Sequence, residues 1–222
     1  MPWLVILFGV MIVPLGAVSI FFIVIQPIVI GTWCTLCLIA AAAMLIQIPY
    51  SLDELVATGQ FLRRRKRAGQ SLMRVFLVGD TDEPSRSDER QAARDEFAQP
   101  LKEQFRDVVG GGVNLPGNLL ACIAIGIWLM FTRLTVGAEG AMANADHLIG
   151  SLVITVSVIA LAEVARSVRF LNIGLGIALL ITPFAFDADG LAAIFSIVAG
   201  LALVALSVRR GSVRCHYGRW TE

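Results

Sequence analysis

The stretch Gln26-Pro27-Ile28-Val29-Ile30-Gly31-Thr32-Trp33-Cys34-Thr35-Leu36-Cys37 decides how this chain folds. Its first half, from Gln26-Pro27 to Gly31-Thr32, separates two long apolar runs. Its second half holds two of the four cysteines, three residues apart. If the second run is helical, Cys34 and Cys37 lie in its first turn and share a face. That spacing suits a disulfide, which needs a Cα separation of roughly 4.4–6.8 Å. A helix start also favours a thiolate, because unpaired backbone N–H groups and the macrodipole stabilise negative charge there. The stretch therefore has the geometry and electrostatics of a redox pair, and Cys34 and Cys37 are the candidate catalytic residues.

Outward from this break the sequence is apolar in blocks. The chain is 57% hydrophobic and 16% charged, and stretches nearly free of charge cover residues 3–30, 33–50, 119–132, 148–162, 170–186 and 191–208. A span takes about 20 mostly apolar residues. The third and fourth blocks are short and extend into residues 133–136 and 164–165. The pattern predicts an all-α integral membrane protein, a helical bundle of six transmembrane helices. The first block lacks a basic leading region and is too long for a signal peptide core, so it reads as a true span.

Basic residues set the orientation. Arg63-Arg64-Arg65-Lys66-Arg67 follows the second span, Arg166 and Arg169 separate the fourth from the fifth, and Arg209-Arg210 follows the sixth. Alternating spans place all of these on one side, which the positive-inside rule makes the cytoplasm. The opposite loops carry Glu139, Asp146, Asp187 and Asp189, with Arg133 near that face. The expectation is a multi-pass protein of the cell membrane with both termini cytoplasmic and the lipid bilayer around it. The Cys34–Cys37 pair then faces outward, where disulfides form and persist. Cys122 and Cys215 fall near the inner face and read as structural or incidental. His147, beside Asp146, reads as a solvated residue of an outer loop.

Smaller features fill in the plan. Pro14 between Gly9 and Gly16 predicts a bend or close packing in the first span. The small residues Ala40-Ala41-Ala42-Ala43 permit close helix contact in the second. Trp33 is either an aromatic anchor at the membrane interface or the wall of a ligand site. Ser51-Leu52-Asp53-Glu54 has the form of a capping box, opening a helix on the inner surface that ends in the basic run. Residues 71–116 read as a soluble insert, with a short strand or helix turn at 72–78, a solvated helix over 88–108, and a linker at Gly110-Gly111-Gly112. The triglycine is not a phosphate loop, since no Gly-Lys-Ser/Thr follows it. No nucleic-acid motif is present. Two thiols without a neighbouring histidine or acid make a poor zinc site, and Leu38 after Cys37 excludes the haem-attachment pattern. No metal is expected.

The last four spans contain a repeat. Gly126-Ile127-Trp128-Leu129-Met130-Phe131-Thr132 aligns with Gly176-Ile177-Ala178-Leu179-Leu180-Ile181-Thr182, and the same offset of fifty pairs Gly150 with Gly200 and Ser157 with Ser207. Two tandem helix hairpins, about 117–166 and 167–215, are expected. Both start inside, so they are parallel rather than inverted, which argues against a transporter.

Trp33-Cys34-Thr35-Leu36-Cys37-Leu38, opening a membrane helix at the outer face, resembles the vitamin K epoxide reductase family. The resemblance covers residues 1–62 and corresponds to the third and fourth helices of that family's four-helix core. The repeats resemble the bacterial SPW-repeat membrane family: Thr182-Pro183-Phe184 stands where that family has Ser-Pro-Trp, and Thr132-Arg133-Leu134 is a degenerate copy. The division expected is residues 1–62 as a reductase-like helix pair, 63–116 as a cytoplasmic charged insert, 117–215 as two SPW-like hairpins and 216–222 as a cytoplasmic tail.

The first resemblance implies a membrane thiol–disulfide oxidoreductase. Electrons would pass from extracytoplasmic protein thiols through the pair to a quinone, ubiquinone or menaquinone. Cys37 would face the quinone and Cys34 would exchange disulfides with a partner, such as a thioredoxin-like protein. Trp33 and Gln26 are the candidates for lining the quinone site. The family's other two core helices and loop cysteines have no counterpart in this sequence. Three readings follow: a chain that begins late, a partner subunit that completes the bundle, or a degenerate half-domain. The second resemblance implies the competing reading, a non-enzymatic SPW-type scaffold with a vestigial cysteine pair.

Overall fold

A computed structural model describes residues 1–80, 113–188 and 190–211. The expected solvated helix over 88–108, the triglycine and Cys215 lie outside the described residues. The described residues are almost wholly helical. The apolar blocks form helix α1 (Pro2–Ile25), α2 (Thr35–Arg67), α4 (Gly117–Met130), α6 (Gly140–Ile159), α7 (Leu171–Ala185) and α8 (Gly190–Val208). Shorter helices, α3 (Leu72–Val78) and α5 (Thr132–Thr135), lie between them, and a 3₁₀ helix (Glu163–Phe170) joins α6 to α7. Among the described residues, five helical stretches are long and apolar enough to cross a bilayer: Pro2–Ile30, Thr35–Arg67, Gly140–Ile159, Glu163–Ala185 and Gly190–Val208. This is a membrane protein. Helix α4 is equally apolar but only 14 residues long.

The break in the opening stretch has a simple cause. Pro27 has no N–H to continue the helical ladder, and α1 runs into one wide π-helical turn over Gln26–Ile30. Gly31 ends that turn at φ 72°, a left-handed conformation that a Cβ would disfavour. The chain then reverses and α2 begins. At 33 residues, α2 is roughly 50 Å long, against a hydrocarbon core of about 30 Å. Its last third therefore extends beyond the bilayer. Pro49 is inside this helix, and no new helix opens at Ser51; the expected capping box lies within α2. Leu72–Val78 is a helix rather than a strand.

Helices α1 and α2 form a tight hairpin. A Cβ at Gly9 would come within 2.6 Å of Leu55 Cδ1, and one at Gly16 within 3.2 Å of Ile48 Cδ1. The glycines flanking Pro14 are therefore packing positions.

The remaining long helices form a four-helix unit in which positions fifty residues apart behave alike. Helices α4 and α6 cross at Gly126 and Gly150, where a Cβ would approach the facing backbone carbonyl to 2.8 and 2.6 Å. Helices α7 and α8 cross at Gly176 and Gly200, with the corresponding figures 2.9 and 2.8 Å. Thr132 Oγ1 donates to the Leu129 carbonyl and Thr182 Oγ1 to the Leu179 carbonyl. The central core joins Leu129 with Leu179, Ile149 with Ala199 and Val153 with Leu203, around Cys122. Asn172 donates to Ser157 across this core at 2.9 Å.

At one end of the unit, Asn118 Nδ2 ties α4 to the end of α8 through the carbonyls of Leu206 (3.2 Å) and Arg209 (2.8 Å). Arg169 Nε donates to the Ser207 carbonyl at 3.2 Å. Arg166 and Arg169, expected as connecting-loop residues, have buried side chains in the 3₁₀ helix. Tyr50 of α2 packs on the cluster of Val113, Leu119, Ala160 and Leu161 at this end. Since Met1 lies beside Gly79, the start of α1 and the chain after α2 also share one side.

A candidate redox site beside a small aromatic cavity

Cys34 is the N-cap of α2, with extended backbone angles of φ −100° and ψ 106°. Its Sγ accepts a hydrogen bond from the backbone N–H of Cys37 at 3.3 Å. A serine or aspartate oxygen commonly fills this position, satisfying one of the helix's unpaired donors. A thiolate fills it better than a thiol, because the acceptor then carries charge. The Cys34 thiol is correspondingly held below its ordinary value: first by the Cys37 thiol, which hydrogen-bonds to it, then by the Cys37 N–H. Both cysteines are exposed and carry free thiols. The pair thus combines access with one stabilised thiolate, the two requirements for disulfide exchange.

Gln26 positions this turn from the other side of the reversal. Its side chain is buried, and Oε1 accepts the Cys34 N–H at 3.2 Å. Its amide also lies against the Cys37 side chain. Replacing it by leucine leaves the Cys34 N–H without its acceptor, at a cost of about 1 kcal/mol. The expected result for Gln26→Leu is amide hydrogen exchange at Cys34 faster by about fivefold, read by mass spectrometry. Unchanged exchange would mean that this bond does not hold the turn.

Trp33 turns away from the pair towards the four-helix unit. Its ring stacks on Phe131 at a centroid distance of 5.6 Å and 27°, and meets His147 edge-on at 5.2 Å and 74°. These side chains wall a cavity of about 190 Å³, with Pro27 beside Trp33 and with Arg133 and Asn144 also in its lining. Arg133 Nη2 donates to Asn144 Oδ1 at 2.8 Å. The expectation for His147 is overturned. It is not a solvated loop residue but lies inside α6, 3% exposed, with Nε2 3.0 Å from the Ile23 carbonyl. Asp146 is fully buried as well and accepts from Ser196 Oγ at 3.3 Å. The repeat carried the signal: an offset of fifty places Asp146 on Ser196, in the middle of an apolar block.

Among the described residues, no three His, Cys, Asp or Glu side chains group as a metal site. A planar organic ring fits the cavity better. A cavity of roughly 150 Å³ takes one benzene ring, and the lining of this one includes the stacked rings of Trp33 and Phe131 but neither cysteine.

Comparison with known families divides the chain at this boundary. Residues 1–52 match the vitamin K epoxide reductase family. Residues 119–210 match the SPW repeat domain. No curated protein and no solved structure matches the chain. The first segment contributes Gln26, Trp33, Cys34 and Cys37; the second contributes Phe131 and His147. The cavity lies between them.

Proposed function

We propose that the chain is a six-span thiol–disulfide oxidoreductase of the cell membrane, with both termini cytoplasmic and the cysteine pair outside. Helix α4 supplies the sixth span, and residues 117–215 form two tandem hairpins. Three observations support this plan. The glycine crossings recur at an offset of fifty. The start of α4 and the end of α8 are tied together. The Arg63–Arg67 run ends α2 on the side of Met1. The observation that carries the function is the Cys34 cap: an exposed sulfur, stabilised as thiolate by the Cys37 N–H, within the segment that matches the reductase family.

The cycle starts with a Cys34–Cys37 disulfide. A thiolate of an extracytoplasmic dithiol protein, thioredoxin-like in chemistry, attacks Cys34 Sγ. The S–S bond breaks, Cys37 leaves as thiolate and a mixed disulfide forms. The partner's second thiol then attacks the mixed disulfide. Cys34 departs as the thiolate that the Cys37 N–H stabilises, and a low leaving-group pKa speeds this step. The partner leaves oxidised by two electrons. A quinone, ubiquinone or menaquinone, supplies the two-electron and two-proton acceptor chemistry when bound. Cys37 hands on the electrons as the S–S bond re-forms, and Trp33 and Gln26 hold the site's geometry. A partner subunit with the remaining two helices would complete the family's four-helix core.

The test is the redox state of Cys34 and Cys37 in native membranes, read with a membrane-impermeant thiol label with and without quinone depletion. The pair should be oxidised in normal membranes and become labelled when quinone is removed. A label that ignores quinone would overturn the oxidoreductase reading in favour of an SPW-type scaffold with a vestigial pair. The second family match, which covers the larger share of the chain, supports that alternative.

A further inference from the structure

We infer that the basic tip of the α1–α2 hairpin, together with α3, is a docking surface for anionic phospholipid, with Arg63, Lys66, Arg67 and Arg74 meeting the headgroups. The inference rests on the chain's place in a membrane and stands apart from the redox reading.

The length of α2 builds the tip. Gly9 faces Leu55 and Gly16 faces Ile48, so α1 and α2 keep one register along the hairpin. Tyr50 packs on one end of the four-helix unit, and α2 runs on from there to Arg67, roughly 25 Å further. In the same register Pro14 of α1 and Pro49 of α2 fall at about the level of Tyr50. Each removes a rung from its helical ladder, so both helices are weakest where they leave the unit.

The surface beyond that level is apolar as well as basic. Leu4, Leu7 and Phe8 of α1 are exposed. In α3, Met73, Arg74, Leu77 and Val78 are exposed on one side of the helix, and Val75 is buried on the other. Gly79, at the end of α3, lies beside Met1, which brings α3 to the start of α1. Residues 63–80 hold six basic residues and one acid. The acid, Asp80, lies 3.5 Å from Arg65, while Arg63, Lys66, Arg67 and Arg74 are exposed.

This pairing of cations with exposed leucine, methionine and valine is the pattern of an interfacial surface. The apolar groups enter the acyl boundary, and the cations stay at phosphate level. A nucleic acid or an acidic soluble protein would match the charge but leave Leu4, Phe8, Met73 and Leu77 in water. A negatively charged leaflet covers both kinds of group, and the spans that continue from the tip already hold it there.

For the test, the full chain is reconstituted in phosphatidylcholine vesicles carrying a trace of photoactivatable phosphatidylglycerol or, separately, the same trace of photoactivatable phosphatidylcholine. Crosslinked peptides are read by mass spectrometry. In low salt, residues 63–80 should take phosphatidylglycerol about fivefold more often than phosphatidylcholine, or better, since each basic side chain near the surface contributes about that factor. The preference should shrink when salt is raised to about 0.5 M, a test that needs no variant. Arg63→Gln, Lys66→Gln, Arg67→Gln and Arg74→Gln combined should bring the ratio to about one. Arg64 and Arg65 remain in that variant, so this end of the hairpin keeps its positive bias. Met73→Gln with Leu77→Gln should cut crosslinking to both lipids and leave the ratio unchanged. Equal crosslinking of the two lipids by the unaltered chain, a ratio indifferent to salt, or a preference that survives loss of the four charges would overturn the inference. So would a tip that crosslinks to neither lipid, the result expected of a surface for a soluble partner.

Discussion

Cys34→Ser should abolish disulfide exchange completely while leaving the start of α2 intact. The serine oxygen accepts the Cys37 N–H as the sulfur does, and serine is among the preferred N-cap residues. It cannot form the S–S bond, so the loss is total rather than graded. Cys34→Ala loses both roles, and helix stability should fall by about 1 kcal/mol relative to Cys34→Ser. Thermal unfolding in detergent separates the two variants, and a partner-oxidation assay should find both inactive. If Cys34→Ser retained exchange, the pair would not be the route of the electrons. The same cap predicts a pH profile. With the Cys34 thiol held below its ordinary value, the thiolate persists to lower pH. Its alkylation should therefore rise with pH from a midpoint below that of an unperturbed cysteine. In a Cys37→Ala chain the midpoint should move back up towards the ordinary value, because the thiol that stabilises the Cys34 thiolate most is gone.

The five long apolar helices and the place of Cys34 and Cys37 at the start of α2 were legible in the sequence because both rest on local signals. A run of apolar residues long enough for a bilayer has few alternatives to a helix, and two cysteines at helical spacing after a Pro–Gly break fix their own geometry. The failures came where polar residues carry tertiary information. Ser51, Leu52, Asp53 and Glu54 suit the interior of a long helix as well as its start, and only packing decides; Ser51 and Thr58 are buried in α2. Residues 140–147 are mostly small or polar, so by composition the apolar block begins at Leu148. In fact α6 begins two turns earlier, at Gly140, because Asp146 and His147 find partners in Ser196 and the Ile23 carbonyl. The buried arginines of the 3₁₀ helix escaped for the same reason. A charge count reports sidedness but not whether a guanidinium lies under neighbouring helices. The cavity itself is formed by residues about a hundred positions apart, and no local pattern brings Trp33 to Phe131.

Gly150→Ala should cost about 1–3 kcal/mol of stability, the second large effect. In a membrane, helix association lacks the hydrophobic drive available in water and depends on close packing of small residues. A methyl group at position 150 would stand 2.6 Å from the Gly126 carbonyl oxygen, 2.8 Å from Leu129 Cβ and 3.1 Å from the Met130 nitrogen. Two of these are backbone atoms, so no side-chain rotation relieves the clash; α4 and α6 must separate. Gly200→Ala meets the Gly176 carbonyl at 2.8 Å and should cost a similar amount. Gly59→Ala, where no other described residue beyond its own helical turn lies within 4 Å, should be neutral or stabilise by up to about 1 kcal/mol. The two costly variants should differ in their effect on the cavity beside Trp33. His147 lies one turn before Gly150 on the same helix, and Phe131 ends the helix that Gly150 crosses, so Gly150→Ala pulls the cavity apart as it loosens the hairpin. Gly200→Ala strains the α7–α8 crossing instead, away from the cavity's lining. A Gly150→Ala chain as stable as Gly59→Ala would show that α4 and α6 do not meet at these glycines.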